Sequence, residues 1–247
     1  MVSQTAILLH KPSHSADSHH PGAYPTDTHP PTSKLHHDGA LRRQVLAGWT
    51  PGTDFWVFAY ASLIWNPGFD SPERRPARLH GYHRALKMWS RVHRGSPENP
   101  GLVCALLPGG SCQGMVLRLP AQGLEAVFDA LWQREMPTLS YQPRWLRCFT
   151  AQGPVRALAF TLAPHSPSYA GSLHPEQYRQ IFAQARGCSG SCADYLRHTH
   201  DSLRALGVLD AQLVRLLALT ETNTAGDAAS QWLPCLLYTS PSPRDCS

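Results

Sequence analysis

The chain has no run of residues apolar enough to span a bilayer, no CxxC pair and no dense block of basic residues. Each absence excludes something. Without a stretch of ~20 apolar residues no transmembrane helix is expected. Met1 to His10 is too weakly apolar for a secretory signal, and has neither a basic lead nor a small-residue cleavage pattern. The cytoplasm is therefore the expected compartment. The 7 cysteines, an odd number without CxxC spacing, read neither as a disulfide framework nor as a zinc site. Cys104 and Cys148 are expected to be small buried hydrophobes, and no metal is expected. The net charge of +5 is carried by scattered side chains, so nucleic acid is not an expected partner, and neither is a membrane. Regular βαβ alternation is also missing, which removes a doubly wound fold. Ser62 lacks the G-x-S-x-G elbow and an assignable His or Asp, which removes it as a nucleophile.

What the chain does have is organised around Leu124 to Met136. At ~100° per residue, Leu124, Val127, Phe128, Leu131 and Trp132 form one apolar stripe of a helix, with Glu125, Asp129 and Gln133 towards the other side. Glu135 breaks the pattern by falling near the middle of the stripe, and Pro137 ends the helix just beyond it. An ionised carboxylate aimed inward loses hydration. A reaction that needs it, a buried arginine partner, or fraying of the last turn into solvent would each account for its position.

Residues 1 to about 50 are rich in His, Pro, Ser and Thr without a sustained apolar period, and read as a disordered tail. The pairs His19-His20 and His36-His37 have no regular ligand spacing. Order is expected from about Asp54, with one domain over 54–220. Phe55 to Tyr60 fits a buried strand running into a tight loop, Ala61-Ser62-Leu63-Ile64-Trp65-Asn66-Pro67-Gly68. Such a loop exposes successive backbone N–H groups able to hold an anion. Six further strands are expected at 77–82, 84–90, 102–107, 114–119, 145–150 and 155–162, with turns at Pro108-Gly109-Gly110 and Gln152-Gly153-Pro154. Three more helices follow at about 175–185, 191–206 and 210–219. Short strands with one long helix among them predict an α+β domain, a small mixed β-barrel with flanking helices. Residues 221–247 are expected to be disordered. Within them, Cys235 to Ser247 resembles the translation of a transposase sequencing adaptor and is set apart from the fold.

The polar loop Ser90 to Gly101 offers Arg91 or Arg94 as a carboxylate clamp, or is an ordinary solvated hairpin connection. Glu98 is a rival carboxylate, but its Pro- and Asn-rich surroundings make it a turn residue.

Several separated motifs, in order, resemble the ChaC-type, glutathione-specific gamma-glutamylcyclotransferases. They are Val57 to Pro67, Arg94-Gly95-Ser96-Pro97-Glu98, Pro100-Gly101-Leu102-Val103, Trp132-Gln133-Arg134-Glu135-Met136, Tyr169-Ala170-Gly171 and Gly190 to Leu196. The resemblance runs from about Phe55 to Leu209. It implies the same barrel-like α+β fold and cofactor-free cleavage of glutathione to 5-oxoproline and cysteinylglycine. It also implies Glu135 as the catalytic carboxylate and Tyr60, Ala61, Ser62 and Leu63 as the substrate loop. Arg91 and Tyr169 are further candidates for substrate contact. The family loop usually has Gly after Tyr, where this chain has Ala61. A positive φ there would make the methyl costly, by ~1 kcal/mol or more, whereas a negative φ would make it harmless. Two other readings are a module that binds gamma-glutamyl compounds without turnover, and a cyclotransferase acting on another gamma-glutamyl amine.

Overall fold

The computed structural model describes residues 32–221, with side chains from residue 39 onward. Its centre is a closed five-stranded barrel. Strand β1 (Trp56–Ala59) lies between β3 (Gly101–Arg118) and β5 (Gly153–Thr161). Strand β2 (Arg74–Ser90) joins β3 to β4 (Gln142–Thr150), and β4 pairs with β5. Closure comes from a short parallel pairing of β1 with β5, Trp56 to Ala157 and Val57 to Leu158. All four residues of β1 are buried, as the continuous apolar run predicts for a strand covered on both faces. Phe58, Leu86, Leu106, Val116 and Leu158 are almost completely inaccessible and fill the core.

The sequence reading cut two long strands into four. Residues 77–82 and 84–90 belong to the single strand β2, and 102–107 and 114–119 to β3. The expected turn at Pro108-Gly109-Gly110 is instead part of a bulge, opposite Gly81. Gly81 (φ +84°), Gly109 (φ +97°) and Gly110 (φ +72°) take up a register shift in which His80 pairs with Ser111 and Tyr82 with Pro108. Extra residues in an antiparallel pair bend it strongly, which curls a flat hairpin into a barrel wall.

Order also begins before Asp54. Helix α1 (Thr32–Ala47) occupies part of the segment expected to be a disordered tail. Its composition hides the packing residues: Val45 is buried, and Leu41 and Leu46 pack against the core. The Val45 carbonyl accepts from Trp145 Nε1 at 2.9 Å, and Arg42 pairs with Asp129 and lies over the Phe128 ring. Trp145, Trp49 and Phe128 converge on Phe55, with centroids 5.0–5.7 Å away. Val45→Asp is therefore expected to lower Tm by roughly 5 °C or more, by analogy with other buried unpaired charges; a thermal melt checks this. The His19-His20 pair, residues 222–247 and the adaptor-like segment lie outside the described residues, and so do the side chains of His36 and His37.

Around the barrel lie α3 (Leu124–Glu135), α4 (Pro175–Gln184), α5 (Cys192–Ala205) and α6 (Ala211–Glu221). Helix α5 buries Cys192, Tyr195, Leu196, Thr199 and Leu203, and its Ser191 cap accepts from Asp194 N–H. Among the described residues no helix is long and apolar enough to cross a membrane.

Candidate active site

Strand β1 delivers the chain to the rim of the barrel and stops. At Tyr60 it turns into a single helical turn, α2 (Ser62–Trp65), with Leu63 and Ile64 buried. Ile64 N–H donates to the Ala61 carbonyl at 2.9 Å, and Asn66 N–H to the Ser62 carbonyl at 2.8 Å. Ala61 has φ −149°, outside the left-handed region that favours glycine.

Helix α3 brings Glu135 to the same rim. Phe128, Leu131 and Trp132 are buried beneath it, and the Glu135 side chain is only 13 % exposed. Glu135 lines one cleft with Tyr60, Ala61, Ser62, Leu63, Cys104, Tyr141, Phe160 and Tyr195.

Arg134 ties the two elements together. Its Nε is 3.2 Å from Glu135 Oε1, Nη2 donates to Ser62 Oγ at 3.0 Å, and Nη1 donates to the Asn66 carbonyl at 2.5 Å. One guanidinium thus fixes the end of α3 against both ends of α2. Burial raises the Glu135 pKa above the ordinary carboxylate value, and Arg134 opposes that rise.

The remainder of the cleft is phenolic. Tyr60 OH donates to the Phe160 carbonyl at 3.0 Å, and Tyr141 OH to the Cys104 carbonyl at 3.3 Å. Tyr195 OH accepts from Cys104 N–H at 3.0 Å. Burial pushes all three phenols up, so they stay protonated donors beside the carboxyl. Burial likewise pushes the Cys104 thiol up to about 12, which leaves no thiolate nucleophile at neutral pH.

Of the residues singled out from sequence, the structure brings together Glu135, Tyr60, Ala61, Ser62 and Leu63. It does not bring Arg91 or Tyr169 to this cleft. Arg91 is exposed, while neighbouring Arg94 is buried, with its guanidinium 5.7 Å from the Trp65 ring centre and 5.4 Å from that of Tyr195. Tyr169 lines a separate cavity with His83, Lys87, Leu107 and Gln212, and its loop is strapped onto β2 through a bridge to Met88. Glu98 is exposed. Burial and the nearby charges of Arg134 and Arg94 hold the His93 imidazole below its usual pKa. Tyr141 was missed. It sits alone in the polar stretch Thr138-Leu139-Ser140, and only its place six residues after the inward-facing acid hinted at a shared pocket.

The barrel with an acid-bearing helix across its rim defines a gamma-glutamylcyclotransferase fold. A glutathione-specific gamma-glutamyl cyclotransferase from yeast, solved crystallographically, superposes with a TM-score of 0.64 over 72 % of this chain and 100 % of its own, at 20 % identity. The family model described as ChaC-like protein matches residues 55–223, and the chain belongs to the ChaC-like family. Among curated relatives, the glutathione-specific gamma-glutamylcyclotransferase of Escherichia coli is 36 % identical over 163 residues, 66 % of this chain and 71 % of that protein. The human glutathione-specific gamma-glutamylcyclotransferase 1 is 29 % identical over 189 residues, 74 % of this chain and 82 % of that protein.

Proposed function

We propose that the protein is a lyase-class cyclotransferase that cleaves glutathione into 5-oxoproline and cysteinylglycine, with Glu135 as general base and then general acid. The observation that carries this is the placement of a buried carboxylate, Glu135, in one cleft with the turn Tyr60 to Leu63. The names of the relatives supply the substrate.

The chemistry asks little of the protein in the way of a nucleophile. In glutathione the glutamyl α-amine attacks the γ-carbonyl of its own residue, closes a five-membered lactam and expels the cysteine amine. Tethering of this kind reaches effective molarities of ~10⁵ M or more. An amine with a pKa of roughly 8 is mostly protonated at neutral pH and cannot attack, so the first requirement is a base. Glu135, its pKa raised by burial, takes that proton and returns one to the departing cysteine nitrogen. No water is consumed. The turn Tyr60 to Leu63 supplies backbone N–H groups to the oxyanion of the tetrahedral intermediate. Arg134 beside Glu135 and Arg94 against the Tyr195 ring put positive charge next to the cleft, which suits a substrate with two carboxylates.

Incubation of the purified protein with glutathione tests the reading. Equimolar 5-oxoproline and cysteinylglycine are expected. Tight binding without product would replace the enzyme by a binding module, and product only from a different gamma-glutamyl amine would change the substrate.

A further inference from the structure

Arg84 is buried in the barrel wall at 6 % exposure, far in sequence from everything it touches. Its Nη1 donates to the Tyr60 carbonyl at 2.7 Å and to the Gln113 carbonyl at 3.0 Å, with Cys112 Sγ at 3.7 Å. Its Nε donates to Asp210 Oδ2 at 3.0 Å. The other Asp210 oxygen caps helix α6, accepting from Gln212 N–H at 3.1 Å and Leu213 N–H at 3.2 Å. One guanidinium thus joins β2, the end of β1, β3 and the start of α6. A buried ion pair is a weak source of stability, because desolvation offsets most of the attraction. Its value lies in fixing geometry.

The geometry it fixes is a particular peptide. The Tyr60 carbonyl and the Ala61 N–H belong to one planar trans unit, so they point in opposite directions. Holding the oxygen on Arg84 sets the direction of the Ala61 N–H, at the first step of the turn that lines the cleft.

We propose that Arg84 and Asp210 are positioning residues for catalysis, orienting the Tyr60–Ala61 peptide so that its N–H meets the oxyanion; this rests on the cyclotransferase reading above. Neither residue touches substrate. Asp210 orients Arg84, and Arg84 orients the turn.

Two substitutions of Asp210 separate positioning from support of the fold. Asparagine is as good a helix cap as aspartate but lacks the charge, whereas glutamate keeps the charge and caps poorly. Asp210→Asn keeps the cap but leaves the buried Arg84 guanidinium without its counter-ion, so Tm is expected to fall; kcat per folded molecule should fall about tenfold while KM stays within about twofold, since the oxyanion exists only in the transition state. Asp210→Glu is expected to lose Tm and recover most of kcat. Arg84→Lys, assayed where circular dichroism shows it folded, should behave like Asp210→Asn. A purely structural pair gives a different result: Tm falls while kcat per folded molecule stays at the wild-type value in every variant. A readout independent of turnover is hydrogen exchange in a peptide covering 60–64. Its amides should exchange at least about tenfold faster in Asp210→Asn, with β4 and β5 unchanged. Unchanged exchange there overturns the proposal whether or not the wild type cleaves glutathione. A wild type that cleaves nothing, with exchange altered as expected, would overturn the cyclotransferase reading alone.

Discussion

Glu135→Gln should lower kcat for glutathione by roughly 10²–10⁴, the span removed with a general base, and leave substrate binding nearly intact. Gln has the same shape but can neither take the ammonium proton nor return one to the leaving nitrogen. The effect on stability has the opposite sign. Burial raises the Glu135 pKa in the folded state above its unfolded value. Stability linked to this carboxyl is therefore fully present below the unfolded pKa and is lost as pH rises through the folded one. Glu135→Gln escapes that loss, so its Tm relative to wild type should climb as pH rises above the unfolded carboxyl's range, about pH 4. A more active site at the expense of a less stable fold is the pattern expected of a group kept for chemistry. A variant with wild-type kcat would remove Glu135 from the mechanism. A Tm difference that falls as pH rises would show that the carboxylate is held by attraction and is not strained by burial.

Arg134→Gln is expected to have the second largest effect, through two routes that a pH profile separates. The guanidinium opposes the upward shift of the Glu135 pKa, so its removal lets that pKa rise further. Less of the base is then ionised at a given pH, and the acidic limb of kcat/KM should move to higher pH. The same substitution releases Ser62 Oγ and the Asn66 carbonyl, loosening the turn against α3. Together these should reduce kcat/KM by about 10- to 100-fold near pH 6.5, with partial recovery at higher pH. The recoverable part reports the charge and the remainder reports the lost tether. A limb that stays put, or moves to lower pH, would mean that Arg134 does not govern the ionisation of Glu135.

The elements differ in how far the sequence disclosed them, and the difference is physical. Helix α3 and the inward position of Glu135 follow from local periodicity, because an acid on an apolar stripe stands out without any knowledge of its neighbours. Strand β1 is equally plain as a run of Trp56, Val57, Phe58 and Ala59. The bulge at Gly81, Gly109 and Gly110 is a different matter, since a glycine that bends a strand and one that ends it look alike until the partner strand is known. Helix α1 was obscured because Val45 and Leu46 sit among histidine and other polar residues, and their burial depends on Trp145, a hundred residues away. Arg84 lies in an otherwise ordinary strand, and nothing local links it to Asp210 or to the Tyr60 carbonyl. Ala61 raised a question that sequence left open, and its φ of −149° shows that no left-handed backbone is required there. Arg91 stands beside the motif at Arg94 and Tyr169 within a motif of its own, but one is exposed and the other lines a second cavity.

The central claim is that glutathione breaks by attack of its own amine, with no water added, and that Glu135 drives this. Wild-type protein and Glu135→Gln should be incubated side by side with glutathione in ¹⁸O-labelled water and the products read by mass spectrometry. The account predicts unlabelled 5-oxoproline and one equivalent of cysteinylglycine from the wild type, and almost none of either from the variant. Labelled glutamate from the wild type, or undiminished 5-oxoproline from the variant, would contradict it.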